Sequence, residues 1–389
     1  MKKREKTDTK NGSKNIYLLG GASLLNDVGS EMISPILPFY ITALGGGGVS
    51  VGLLSGLREG LASLFKLLGG WASDRKGKRM PFVFLGYFIS IIFRFLLSVA
   101  NSWQAIIGFV GLERLGKSRD APRDAIIAVS TKKRGRGFGL HQAMDTMGGI
   151  IGTIIVFLLF WIYATDFKLI ILIAAGISAL SLVPLFFVKE PVSKKSKVNL
   201  FKGIKNLNKR LKYFIFVASV FTIANFGLYM FLLLRARDIT GSIIYALAIY
   251  LLFNIVWASL SIPFGNLSDK IGRKSVLMVG YLLLVVVGLG FAYFSGVISL
   301  IILFILYGLV YAITQSNQRA LVSDLSGNMK GTAIGFYQAV VGVVNILAGV
   351  AAGILWDINF SIMFVYIAAV ALLSAILLAF VREGNAYNS

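Results

Sequence analysis

The chain of 389 residues has no cysteine, one histidine, seven prolines and only 17 acidic residues. Without cysteine there is no disulfide framework, no thiol nucleophile and no thiolate metal site. A single histidine, His141, excludes a metal cage built from imidazoles. Charged residues amount to 14% of the chain, against roughly 25% in soluble domains. That shortage excludes a disordered or collagen-like chain and speaks against a cytosolic enzyme. What is abundant is apolar: 57% of the residues are hydrophobic and the mean hydropathy is +0.78. This is the composition of a membrane protein. The 39 Lys and Arg leave a net charge of +22, which in a soluble chain would point to nucleic acid. In a membrane chain the first question is where the positive residues lie relative to the spans.

Apolar runs of roughly 20 residues can cross a bilayer, and about twelve are present. The first half gives 16–43, 49–72, 80–101, 103–129, 137–164 and 168–188, and the second gives 213–236, 241–266, 274–296, 298–325, 331–357 and 360–382. The first run follows a basic tail, but it is too long for a cleavable signal peptide and the next run follows at once. Basic residues concentrate on alternate loops. The tail carries Lys2, Lys3, Arg4, Lys6, Lys10 and Lys14, and the loop after span two carries Arg75, Lys76, Lys78 and Arg79. Lys132, Lys133, Arg134 and Arg136 follow span four, nine basic residues lie between Lys189 and Lys212, and Lys270, Arg273 and Lys274 follow span eight. The intervening turns, such as 42–50, are nearly bare. The positive-inside rule places both termini and the central loop in the cytoplasm, and an even number of spans fits. The expected organisation is a tail 1–15, a six-helix bundle 16–190, a basic linker 191–212, a second six-helix bundle 213–382 and a tail 383–389.

The halves repeat each other. Gly70-Trp-Ala-Ser-Asp74-Arg75-Lys-Gly77-Lys-Arg79 returns 195 positions later as Gly265-Asn-Leu-Ser-Asp269-Lys-Ile-Gly272-Arg273-Lys274. At an offset of 196, Arg123 matches Arg319, Gly135 matches Gly331, and His141-Gln142-Ala143 matches Tyr337-Gln338-Ala339. Repeats of this length indicate a duplicated six-span bundle. On these two motif copies, at equivalent places within twelve spans, the chain resembles the major facilitator superfamily over residues 16 to 382. The resemblance implies an all-α fold of twelve transmembrane helices in two bundles related by a pseudo-two-fold repeat. It also implies that the motif loop is a latch that favours an outward-open state and breaks when the halves rock. The residues themselves suit that role: glycines permit a tight turn and close helix approach, and an aspartate at the membrane boundary can pair with arginine or a helix N-terminus. A loop serving orientation alone would need the lysines but neither the aspartate nor the glycines.

Ionisable groups within a span cost about 2.5–3.5 kcal/mol each, and here they crowd into the first half. Span one has Asn26, Asp27 and Glu31, the two acids four apart on one helix face. Span four reads Glu113-Arg114-Leu-Gly116-Lys117-Ser-Arg119-Asp120-Ala-Pro-Arg123-Asp124, span five has His141 and Asp145, and spans two and three add Arg58, Glu59, Lys66 and Arg94. Arg114 is the nearest match to the superfamily's span-four arginine, although its glycine, Gly116, follows after two residues. Met147-Gly148-Gly149-Ile-Ile-Gly152 has the glycines of the antiporter motif in span five but lacks its proline. Three readings of the cluster stand open. Asp27 or Glu31 is a proton carrier with Arg114 or Lys117 as the returning partner; or Asp27, Glu31, His141 and Asp145 bind a divalent cation; or acids and bases neutralise one another as structural pairs.

Polar positions in the second half are mostly neutral: Asn225, Tyr229, Asn254, Gln315, Asn317, Gln318, Tyr337, Gln338 and Asn345. The repeat makes the asymmetry explicit, since His141, Asp145 and Asp124 correspond to Tyr337, Val341 and Ala320. The first half is expected to handle coupling ions and the second to supply hydrogen bonds and aromatic surface to a substrate. No nucleotide-binding loop or dinucleotide fingerprint occurs, so transport would draw on a gradient, with no cofactor and no catalytic triad. The expected function is alternating-access secondary transport, with proton-coupled efflux of small organic compounds favoured. A divalent-metal or organic-anion carrier is the alternative, and a non-transporting sensor or scaffold is the reading from another class. Expected partners are a small-molecule or ion substrate, protons and the lipid bilayer, without nucleic acid, for a monomer in a prokaryotic cell membrane.

Overall fold

A computed structural model describes residues 2–131, 134–163, 166–190, 207–327 and 330–382, with side chains omitted for 2–13, 134–136 and 163. The basic residues Lys2 to Lys10, Lys132 to Arg136 and Lys194 to Lys205, most of the linker and the C-terminal tail therefore lie outside the described residues or side chains. Among those described, every regular element is helical. The chain runs α1 (Lys2–Ile33), α2 (Leu37–Ala43), α3 (Gly48–Lys76), α4 (Met80–Ser98), α5 (Trp103–Glu113), a 3₁₀ segment (Arg114–Arg119), α6 (Asp120–Ser130), α7 (Arg134–Tyr163), α8 (Phe167–Ala179) and α9 (Leu182–Leu185). It continues with α10 (Lys209–Ala224), α11 (Tyr229–Thr240), α12 (Ile243–Ile271), α13 (Arg273–Tyr293), α14 (Val297–Leu325), α15 (Lys330–Ile358) and α16 (Phe360–Ala379).

Among the described residues, nine segments are long and apolar enough to cross a membrane unaided. The other three spans are α1–α2, α3 and α5–α6, the ones carrying Asp27 and Glu31, Arg58 to Lys66, and the charged stretch 113–124. Spans one, four and seven, expected as continuous, are interrupted. Span one breaks at Ser34-Pro35-Ile36, where proline removes a donor and restrains the preceding residue. Span four tightens into the 3₁₀ segment, and span seven breaks at 225–228 around Gly227, whose φ is +68°. Elsewhere polar caps start helices where the sequence supplies them. Ser102, Asp166, Asn208, Ser242 and Asn359 each accept from a backbone N–H in the first turn of the following helix.

The chain divides into two compact units, residues 1–44 with 61–197 and residues 45–60 with 198–389. In the first, α1 packs on α7 and α8, and α4 packs on α5, the 3₁₀ segment and α8. Gly148 and Gly152 of α7 lie against the Leu24 and Val28 carbonyls of α1, an approach that a side chain would block. In the second, α13 packs on α14 and α16, α12 on α14, and α10 on α15 and α16. Residues 48–56 of α3 belong to this unit and meet α15 backbone to backbone, Gly52 at Gly349 and Gly56 at the Asn345 carbonyl. The outer faces remain apolar, with Ile262, Ile298, Leu347 and Phe380 among many large side chains that find no protein cover. That is the surface a hydrocarbon solvent accepts.

Candidate functional site

In the first unit the charges of spans three and four are drawn inward by α4 and the 3₁₀ segment. Arg94, 2% exposed, donates Nη2 to Glu113 Oε1 at 2.9 Å and Nη1 to Ser178 Oγ at 2.6 Å and to Asn26 Oδ1 at 3.0 Å. Asn26 turns its amide nitrogen to Asp27 Oδ1 at 3.0 Å. One chain of contacts thus links Glu113, Arg94, Asn26 and Asp27. Arg114 Nε lies 2.9 Å from Oε2 of Glu113, the adjacent acid at the end of α5. Arg119 donates to Ser90 Oγ and the Gly116 carbonyl, both at 2.9 Å, with its guanidinium 4.3 Å from the Tyr87 ring centroid. Asp120 is ringed by bases: Lys66 at 3.2 Å, Arg123 at 3.7 Å, Arg119 at 3.9 Å and Lys117 at 4.0 Å. Arg123 also holds Ser23 Oγ and Asp124, each at 3.0 Å.

Asp27 of span one stands apart from this lattice. Asp27 has the Asn26 amide but no ion-pair partner among the described residues; Lys117, Asp145, Arg119 and Arg123 are the charged groups whose fields reach it. Glu31 accepts from Ser34 Oγ at 3.3 Å. His141 Nδ1 faces Asp145 Oδ2 at 3.3 Å, one turn along α7. The divalent-cation alternative fails on this geometry. No group of three or more His, Asp or Glu side chains among the described residues can close on one ion, and His141 Nδ1 is turned to Asp145.

The two motif loops are built alike. Gly77 and Gly272 take positive φ at the turn, +69° and +94°. Arg79 pairs with Asp74 at 3.3 Å and reaches the Ala125 carbonyl of α6, while its backbone N–H and that of Met80 point at Glu190. Arg273 pairs with Asp269 at 3.0 Å and with Asp324 at the end of α14. In each copy one arginine ties the end of the span to the span two positions later, although it occupies the last motif position in the first copy and the penultimate one in the second. Gly70 approaches Ala121, Gly265 has open space around it, and Arg75 lies over the Trp71 ring at 5.5 Å.

The neutral candidates of the second unit separate into two groups. Asn317, 1% exposed, accepts from Ser268 Oγ at 2.7 Å and donates to the Ile313 carbonyl. It braces the second motif loop from behind, which corrects its expected place in a substrate cavity. Tyr337 donates to Gln318 at 3.0 Å, and Gln318 donates to Tyr281 at 3.0 Å, a closed buried chain. Gln315 and Gln338 are half-buried and Asn345 is buried. The other group gathers at the break in span seven. Asn225 accepts from Tyr307 at 3.1 Å, Tyr229 lies 5.7 Å from Tyr250, and Asn254 bonds back to the Tyr250 carbonyl. Around them stands an aromatic cluster that sequence reading passed over: Phe253 touches Tyr250, Trp257, Tyr307 and Tyr311 at centroid distances of 5.2–6.1 Å. The spacing was legible, since 250, 253 and 257 share one helix face and so do 307 and 311.

The family model described as Major Facilitator Superfamily matches residues 19–349 and 215–388. The chain is 48% identical over 379 residues to an uncharacterized MFS-type transporter of Methanocaldococcus jannaschii, covering 95% of both proteins. It is 30% identical over 283 residues to multidrug resistance protein MdtG of Proteus mirabilis, covering 68% of this chain and 69% of that protein. Among solved structures it is similar to the nucleoside transporter NupG, with a TM-score of 0.78 at 16% identity over 94% of this chain and 98% of the other. A bacterial homolog of the human lysosomal transporter Spinster superposes with a TM-score of 0.79 at 14% identity, over 94% of this chain and 96% of the other. With the twelve-span helical fold, these matches make the protein a multi-pass membrane transporter for a small molecule, and the chain belongs to the Major Facilitator Superfamily.

Proposed function

We propose that this transporter exports small organic compounds in exchange for protons, with Asp27 as the coupling carboxylate. The observation that carries the reading is the position of Asp27 beside a dense ion-pair lattice that does not pair it. Glu113, Asp120 and Asp124 each have arginine or lysine within 4 Å, and Asp145 has His141. Asp27 has one amide donor and the field of Lys117. A carboxylate at such a point is free to exchange a proton as its surroundings rewet, and Arg94 senses the change through Asn26. Similarity to MdtG supports the efflux direction and the organic class of substrate. The two motif loops serve as the latches of an alternating-access cycle, and both termini lie on the cytoplasmic side. The test is reconstitution into proteoliposomes with an imposed pH gradient and a panel of organic compounds. The wild type moves protons on substrate addition, whereas Asp27→Asn retains substrate counterflow and loses gradient-driven accumulation. Unchanged accumulation in Asp27→Asn removes this residue from the coupling role.

A further inference from the structure

Among the acids within the spans, Glu59 has neither a described ion-pair partner nor a described hydrogen bond. It lies eleven residues into α3, about 16 Å along the helix from Gly48 by the 1.5 Å rise, so it sits near the middle of a span. An unneutralised carboxylate at that depth marks a functional site by default. Its setting is well defined. One turn earlier on the same face, Ser55 Oγ donates to the carbonyls of Phe226 at 3.0 Å and Gly227 at 2.9 Å, pinning α3 to the break in span seven. A Cβ placed on Gly227 would lie 3.6 Å from Glu59 Cγ. The carboxylate therefore emerges where α10 and α11 part. Glu59 is exposed, although its neighbour Arg58 is 5% exposed and inward.

The aromatic cluster surrounds the same break. Tyr307 reaches it through Asn225, and Tyr229 is the first residue beyond it. Tyr311 stands edge-on to Trp257, with centroids 5.5 Å apart at 74°, and lies 5.1 Å from Tyr307. Tyr307 and Phe253 are the sealed floor, whereas Trp257 and Tyr311 are half-buried and present accessible ring surface. The charge of Glu59 bears on Tyr311. A site with a carboxylate but no rings suits a proton or a metal ion. A site with rings but no charge suits a neutral aromatic compound. Rings beside an unneutralised carboxylate within a span select an organic cation, because the ring faces attract positive charge more strongly as it is desolvated.

We infer that Glu59, with Trp257, Tyr311 and Tyr229 at the break in span seven, forms a binding site for lipophilic organic cations such as quaternary ammonium and phosphonium compounds. This deepens the reading of the protein as an exporter of organic compounds and rests on it, but it does not depend on the proton as the coupling ion. The test is equilibrium binding of radiolabelled tetraphenylphosphonium to the purified full chain in detergent, with no gradient present and tetraphenylborate as the anion of matching shape. The wild type binds the cation in preference to the anion. Glu59→Gln weakens cation binding by at least about tenfold and narrows the preference, whereas Glu59→Asp keeps it. Trp257→Ala and Tyr311→Ala each weaken binding by about tenfold, and Tyr311→Phe, which keeps the ring, stays within about twofold. Monodisperse elution and an unshifted melting temperature confirm that each variant is folded. Absence of tetraphenylphosphonium binding by the wild type, or equal binding by folded Glu59→Gln, overturns the inference. Asp27→Asn retains cation binding, so a failure of proton coupling and a failure of the cation site give different results.

Discussion

The two compact units solve the same problem with different chemistry. In the unit of residues 1–44 and 61–197, Arg94, Arg119 and Arg123 are buried among Glu113, Asp120 and Asp124, each with an opposite charge within 4 Å. In the unit of residues 45–60 and 198–389, the equivalent interior is built from amides and rings, with Asn225, Gln318, Tyr281, Tyr307 and Tyr337 bonded to one another in pairs. At matched repeat positions His141, Asp145 and Asp124 become Tyr337, Val341 and Ala320. A six-span bundle of this type therefore folds without an internal charge lattice. The first unit carries one at a cost that neutral side chains would avoid, a cost that fits the coupling role proposed for Asp27.

The largest test of that contrast breaks the lattice at its most buried bond. Arg94→Met leaves Glu113 with Arg114 and takes the guanidinium donor from the Asn26 and Ser178 oxygens, and about 3–5 kcal/mol of stability is expected to be lost. Thermal unfolding of the purified protein in detergent measures it. The double variant Arg94→Met, Glu113→Leu is expected to recover most of the loss, because it removes both charges from the interior. Failure to recover would mean that the pair contributes fold stability of its own. In the second unit, Tyr307→Phe removes one neutral hydrogen bond to Asn225 and is expected to cost only about 1 kcal/mol.

Much of this arrangement was legible in the chain itself. Hydropathy and the repeated Gly-x-x-x-Asp motif specify twelve spans and two matching motif loops, because both depend on residue type at fixed spacing. Asp27 stood out because an acid in an apolar run is costly wherever it points. The pairings were not legible: Arg114 turning to the adjacent Glu113, or Asn26 bridging Arg94 to Asp27, depend on which faces of different helices meet. Nor was the role of Asn317, which looks like any cavity amide until Ser268 is found beside it. The site at Glu59 escaped for a related reason. Its rings lie on α11, α12 and α14, its acid lies on α3, and the break at Gly227 that unites them leaves only one glycine in the sequence.

Close packing through glycine is by contrast common to both units. In the second, the start of α3 meets α15 through glycines, so that a Cβ at Gly52 would press on the Gly349 carbonyl and lie 3.2 Å from Gly353 Cα. Gly52→Val is expected to lower stability by about 1–3 kcal/mol in the same unfolding experiment. At the head of that contact Asp357 accepts from the Gly48 N–H at 2.5 Å and the Val49 N–H at 3.0 Å, capping α3 from another helix. Asp357→Ala removes the cap and is expected to cost about 1 kcal/mol. A loss no greater than that of a neighbouring exposed residue would show that the cap contributes nothing.

The smallest expected change in stability belongs to the residue with the largest expected change in function. Asp27 lies in the first unit, yet it resembles Glu59 of the second in having no basic partner among the described residues. If charge in the first unit were there only to hold the fold, Asp27→Asn would cost as much as loss of any other lattice member. Its position predicts otherwise. Asparagine keeps a side-chain oxygen to accept from Asn26, and removing an unpaired carboxylate from a half-buried site relieves a desolvation cost instead of creating one. The variant is therefore expected to melt within about 0.5 kcal/mol of wild type, or above it, while proton-driven accumulation is lost in proteoliposomes. A melting temperature that falls as far as that of Arg94→Met would make Asp27 a structural member of the lattice and remove the distinction between the paired acids and the unpaired one.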